Sequence, residues 1–195
     1  QVAIAGYFCD NLDQTFAGQR YLARQLRYVS RSKAVPLNAT DLGDLNVFPL
    51  ETEKHFSSVI SQCEAVLELG AYLVLVGGDS SGLKALGAAV QNVINPDVPI
   101  VSLSNNNKLN LSKTQKIILS VDLKELAGKW LSKPRRLNGL SPSQIISQIN
   151  NIPNKIIAVA IFGLAPELDS RGSTETQVAL NILEAVVKRL DKGAH

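Results

Sequence analysis

The chain has 195 residues, enough for one domain of ordinary size around a single sizeable core. Its 45% hydrophobic and 19% charged residues exclude a disordered or fibrous chain. The net charge of +3 is scattered, and the densest basic group, Lys133-Pro134-Arg135-Arg136, is short and lacks aromatic interleaving, so nucleic-acid binding is not expected.

The two cysteines, Cys9 and Cys63, lie far apart in apolar contexts without CxxC spacing, which predicts buried, reduced thiols. No apolar run approaches the ~20 residues of a membrane span. The opening QVAIAGYFCD alternates like a strand and has no basic leader, so the cytoplasm is the default location. There is no Met, even at position 1, which is consistent with a processed, trimmed or incomplete chain.

In chain order, residues 2–8 (VAIAGYF) predict a strand and 19–30 a helix with Tyr21, Leu22, Leu26 and Val29 roughly on one face. AVPLNATDLGD predicts a second short strand. Phe56, Val59, Ile60, Cys63, Val66 and Leu67 recur at helical spacing over 51–69, with Thr52 as cap and Gly70 as stop. A strand at 72–76 runs into the turn GGDSSG, followed by a helix from about 82 to 93. Apolar runs at 98–104, 116–123 and 155–164 predict three more strands. Ser141 is a good N-cap with Pro142 at the first helical position, and 174–190 forms a final helix.

Short apolar strands alternating with amphipathic helices predict an α/β domain with a mainly parallel sheet covered on both faces. Ligands then sit beyond the carboxyl ends of the strands. That rim gathers the clusters after Val76, Leu103, Val121 and Phe162.

Each candidate on the rim has a structural alternative. The glycines of GGDSSG allow a sharp turn and close approach of a ligand, and its serines could hold an anion. The alternative is an ordinary strand-to-helix turn capped by Asp79 or Ser80. Asp122, directly after a strand, could act as base or metal ligand, or simply cap a loop. Lys124 and Lys108 bring positive charge to the same rim, which argues against a bare divalent cation there. His55 has no partner at ligand spacing and reads as a surface histidine, and Cys9 reads as a buried hydrophobe before a nucleophile.

Taken in order, several segments resemble the ureohydrolase family of arginase, agmatinase and formimidoylglutamase. VAIAGYFCDNLDQTFAGQRYLARQLR is similar to its first strand, loop and helix, and DLGDLNV to its second-strand motif. LVLVGGDSSG resembles the strand and turn that in active members read GGDH. VPIVSLSNNNKL falls at the DAHxD strand and KIILSVDLKEL at SxDxDxxDP. LNGLSPSQIISQI resembles the GGL or NGL helix start, and AVAIFGLAPELDSRGSTETQVALNILEAVV the closing ExNP motif.

The resemblance implies a three-layer α/β/α sandwich and, in active members, two manganese ions that activate a bridging water. Carried over position by position, the GGDH histidine becomes Ser80. The DAHxD ligands become Ser104, Asn106 and Lys108. In SxDxDxxDP the first aspartate survives as Asp122 and the second becomes Lys124, while the ExNP glutamate becomes Gly163. Manganese prefers carboxylates and imidazoles, so the expected cofactor is none. Only fifteen residues (107–121) separate Asn106 from Asp122, so family segments are expected to be missing there.

The leading expectation is a metal-free ureohydrolase-like pseudoenzyme with a binding, regulatory or scaffold role. A small anionic ligand would sit near Lys108 and Lys124, and the resemblance implies a homo-oligomer. The alternative is an active hydrolase of linear amidine C–N bonds with a remodelled site, drawing on Asp79, Asp122 or Cys9. GGDSS followed by VPIVSLSNNN also faintly resembles the nucleotide-binding loops of phosphofructokinase.

Overall fold

The computed structural model describes residues 1–10, 18–31, 37–103, 115–127, 130, 139–166 and 174–192. The strands are β1 (Val2–Gly6), β2 (Thr40–Asp44), β3 (Tyr72–Val76), β4 (Ile100–Ser102), β5 (Lys116–Asp122) and β6 (Lys155–Phe162). The helices are α1 (Leu22–Ser30), α2 (Thr52–Glu68), α3 (Ser81–Val93), α4 (Pro142–Asn151) and α5 (Thr174–Lys192). The strands form one sheet in the order β2-β1-β3-β6-β5-β4, and every pairing is parallel.

Parallel strands require crossover connections, and the helices that make them cover both faces of the sheet. On β3, Val74 and Val76 enter one core cluster while Leu73 and Leu75 enter the other. On β6, Val159 and Ile161 face the first cluster, and Ala158, Ala160 and Phe162 the second. Because both faces are buried, these strands are apolar over Tyr72–Val76 and, after Lys155, throughout the rest of β6, which is why they stand out as short continuous runs. Helices α1 and α4 pack on α5 on one side, and α2 packs on α3 on the other. The expected layered α/β architecture is observed.

Several boundaries come out as predicted, notably Tyr72–Val76, and Gly70 ends α2 in a left-handed conformation at φ 73°. Thr52 does not cap α2. It is already the first helical residue, because the His55 N–H donates to the Glu51 carbonyl at 2.8 Å, and Glu51 occupies the cap position without a side-chain bond. Strand β4 is shorter than its apolar run. Val98 is held in a turn on Asn95, and Pro99 has no N–H to give. The expectation at 104–106 and 108, like part of that at 34–44, lies outside the described residues.

Helix α4 starts with a full capping box. Ser141 Oγ accepts from the Gln144 N–H at 3.2 Å, and Gln144 Oε1 accepts from the Ser141 N–H at 2.8 Å. Ser141→Ala is expected to cost about 1 kcal/mol, read as a lower denaturation midpoint at unchanged m-value.

Candidate functional site

The chain runs from β1 out to the edge strand β2 and returns to β3 on the other side of β1, which makes the gap between β1 and β3 the switch point of the sheet. Beyond it, backbone bonds stitch the strand ends together. The Tyr7 N–H donates to the Val76 carbonyl, the Gly77 N–H to Ile161 and the Gly78 N–H to Gln19. Gly77 and Gly78 both have positive φ, at 95° and 67°, so the chain reverses at two consecutive residues. The turn brings Asp79, Ser80 and Ser81 to the start of α3.

Asp79 does not face the rim. Its side chain is fully buried and folds back over its own turn, accepting from the Ser81 N–H at 2.9 Å and from the Ser81 hydroxyl. It thereby supplies the helix-capping acceptor for α3, while Ser80 stands at the cap position without a side-chain cap bond. The Ser81 hydroxyl also meets Tyr7 Oη at 2.6 Å, and Tyr7 Oη meets His55 Nε2 at 2.7 Å.

These contacts assign the protons. The Phe48 N–H donates to His55 Nδ1 at 3.3 Å, so the neutral ring carries its hydrogen on Nε2. Nε2–H then donates to Tyr7, Tyr7 O–H to Ser81, and Ser81 O–H to Asp79. Tyr7, His55, Asp79 and Ser81 are all buried, and they link β1, α2 and the GGDSSG turn in one directed chain. Burial pushes the Tyr7 phenol far above its ordinary value and the His55 imidazole below its own.

His55 is therefore not a surface histidine. With Val59, Cys63 and Leu67 it forms the buried stripe of α2, each four residues from the last. That spacing was available in the sequence, but a histidine on an apolar stripe shows its partner only when the fold brings Tyr7 to it.

The two cysteines are free and buried, as expected. Burial pushes the Cys63 thiol up to about 12, away from thiolate chemistry. Cys9 is also enclosed, and its carbonyl accepts from the Asp79 N–H at 3.1 Å.

A second group lies at the ends of β5 and β6. Asp122 accepts from the Lys124 N–H at 2.9 Å, and the Lys124 ammonium stands 3.6 Å from its other oxygen. Lys124 also reaches over the Phe162 ring, 5.9 Å from its centroid. Burial lifts the Asp122 carboxyl above its ordinary value, with Lys124 opposing the shift. Gly163, at φ 88°, packs directly on both residues, and a Cβ there would run into the Asp122 carboxylate. The Gly163 N–H donates to the Gly78 carbonyl at 3.4 Å, which ties this group to the GGDSSG turn.

Of the residues singled out by sequence, Asp122, Lys124 and Gly163 are thus in mutual contact. Asp79 is turned into the buried chain, and Ser80 is half-buried beside it. Ser104, Asn106 and Lys108 lie outside the described residues. Among the described residues, no three His, Cys, Asp or Glu side chains converge in a group able to hold a metal. Nor is any described helix long and apolar enough to cross a membrane.

This sheet order, with helices on both faces and an irregular rim at the β1–β3 switch, is the fold of the arginase, agmatinase and formimidoylglutamase structures. The proclavaminate amidino hydrolase of Streptomyces clavuligerus matches with a TM-score of 0.82 at 14% identity, over 100% of this chain and 93% of that one. A putative agmatinase from Clostridium difficile matches at 0.81 and 15% identity, over 100% and 98%. The formimidoylglutamase of Bacillus subtilis matches at 0.80 and 14% identity, over 98% and 87%. No protein-family model matches the chain, and no curated protein matches it by sequence. At these identities the likeness defines the fold.

Proposed function

We propose that this chain is a ureohydrolase-like protein that works without a binuclear manganese centre, in a binding, regulatory or scaffold role. The observation that carries the reading is the pair of Asp122 and Lys124. The carboxylate that aligns with a family ligand is answered by an ammonium 3.6 Å away from its own chain segment. A divalent ion placed there would meet that ammonium's charge. Asp79, the other carboxylate of the motif, is fully buried and already accepts two bonds from Ser81. Among the described residues, Asp122 and Asp79 therefore do not offer the several free carboxylates and imidazoles that the hard ions of a two-metal site need.

Protein purified with excess manganese is expected to hold substoichiometric metal by elemental analysis. It is expected to release neither urea from arginine or agmatine nor formamide from formiminoglutamate. Stoichiometric manganese together with either product overturns the reading.

A second reading keeps C–N bond hydrolysis at a remodelled site. In its favour, burial moves the Asp122 carboxyl upward, toward the range useful to a general acid or base. It requires metal-independent turnover that Asp122→Asn abolishes. A small anion at the rim and assembly of like copies belong to the leading reading as extensions of the sequence resemblance. Equilibrium sedimentation tests the second of these, with a monomer at all concentrations counting against it. The fold likeness gives the nucleotide-binding reading no support.

A further inference from the structure

His55 meets the connection between β2 and α2 as well as Tyr7. That connection, residues 45–51, leaves β2 at its carboxyl end and so lies on the same rim as the GGDSSG turn. Its first half is tied down without His55. The Leu45 N–H donates to the Gly6 carbonyl at 2.8 Å, and Asn46 is held by Gln62 and Ser58 of α2. In the second half, Leu50 is 94% exposed and Phe48 and Pro49 are half-buried. The Phe48 carbonyl closes a turn with the Glu51 N–H, and the Lys54 ammonium stands over the Phe48 ring at 4.1 Å. This half reaches the buried chain through the Phe48 N–H, which donates to His55 Nδ1 at 3.3 Å.

The two ring nitrogens respond differently to acid. In the neutral ring Nδ1 accepts from Phe48 and Nε2–H donates to Tyr7 Oη at 2.7 Å. A second proton goes to Nδ1. It leaves the Tyr7 side as it was and sets two N–H donors against each other on the Phe48 side. Burial opposes that proton, while the charge of Asp79, at the far end of the buried chain, favours it. The surroundings hold few other charges. Beside β1, Tyr7 stays protonated, and Cys9 is enclosed with it. Asp44, at the end of β2, is bonded to Arg24 and Arg27. Along α2, Glu51 and Lys54 pair at 3.2 Å and Glu53 is exposed, as is Lys84 on α3. Residues 45–50 carry no ionisable side chain.

We propose that His55 is an acid-operated latch on this rim: a second proton, taken up at Nδ1, drives Phe48–Leu50 off the ring while the sheet and α2 stay folded. The latch acts whether or not the rim holds a ligand. NMR of the intact chain, titrated from about pH 7.5 to about 5, tests it. The Phe48 and Leu50 amides are expected to lose order, read as a falling heteronuclear NOE. The midpoint should be that of the His55 ring, below 6.5. Leu45, Asn46 and Gly77 are expected to keep their NOE throughout, because their bonds do not involve the ring. In His55→Gln the Phe48 and Leu50 signals should no longer respond to pH. Order at Phe48 that is unchanged while the His55 ring titrates overturns the latch. So does a loss shared at the same midpoint by Asn46 and Gly77, which marks unfolding of the whole domain. A response that persists in His55→Gln assigns it to another group and overturns it equally. Should that variant fail to fold, the wild-type titration still decides.

Discussion

Replacing Gly78 by alanine is expected to destabilise the protein by ~3–5 kcal/mol, the sum of backbone strain and overpacking. Gly78 has φ 67°, and a methyl group there would strike the Tyr7 ring and lie 2.5 Å from the Cys9 carbonyl oxygen. The obstacles are a packed ring and backbone, and neither can swing away. Gly43 provides the control, because it has a similar φ of 79° with nothing within 4 Å of its Cβ position. Gly43→Ala should cost only the conformational strain, ~1–2 kcal/mol. Chemical denaturation of the two variants separates the causes, and equal losses would show that close packing at Gly78 contributes nothing. A domain of this kind has ~5–15 kcal/mol in total, so Gly78→Ala should remove a large part of it.

The second large effect belongs to the buried chain from His55 to Asp79. Tyr7→Phe keeps the ring but leaves the His55 Nε2–H without an acceptor and removes the donor to Ser81. Each buried polar group stranded in this way costs ~1–3 kcal/mol, so a loss of ~2–4 kcal/mol is expected. Stability should also fall with acid in a defined window. Burial depresses the folded His55 pKa below its ordinary 6.5, so the unfolded chain takes up the proton first. His55's contribution is complete above 6.5 and is lost as pH falls from there through the lower folded value. Asp122, raised by burial, runs the other way, since its stabilising effect grows as pH falls below its folded value. His55→Gln retains a polar amide without the titration. The test is denaturation from neutral to mildly acidic pH, where wild type should lose stability relative to the variant. Parallel slopes for the two would refute the assignment.

Much of the fold could be read in advance because both faces of the sheet are buried. That arrangement writes β3 and β6 as uninterrupted apolar runs, and the parallel pairing forces a helix between successive strands. The start of α4 was equally legible, since Ser141, Pro142 and Gln144 act within one turn. The end of β4 and the cap of α2 were less so, because each depends on one backbone bond that propensity does not encode.

The site divides along the same line. Sequence placed Asp122, Lys124 and, through the family resemblance, Gly163 on one rim, and the sheet register now joins them. Sequence also showed that the GGDSSG turn lacks a histidine at Ser80. It did not show that Asp79 points inward, or that the chain's one internal histidine lies at the far end of the same hydrogen-bonded chain. Tyr7 and His55 are 48 residues apart, and Tyr7 and Ser81 are 74. Local pattern determines strands, helices and caps because those depend on neighbours along the chain. The partner of a buried polar side chain is set by which strands lie side by side, and only the folded sheet decides that.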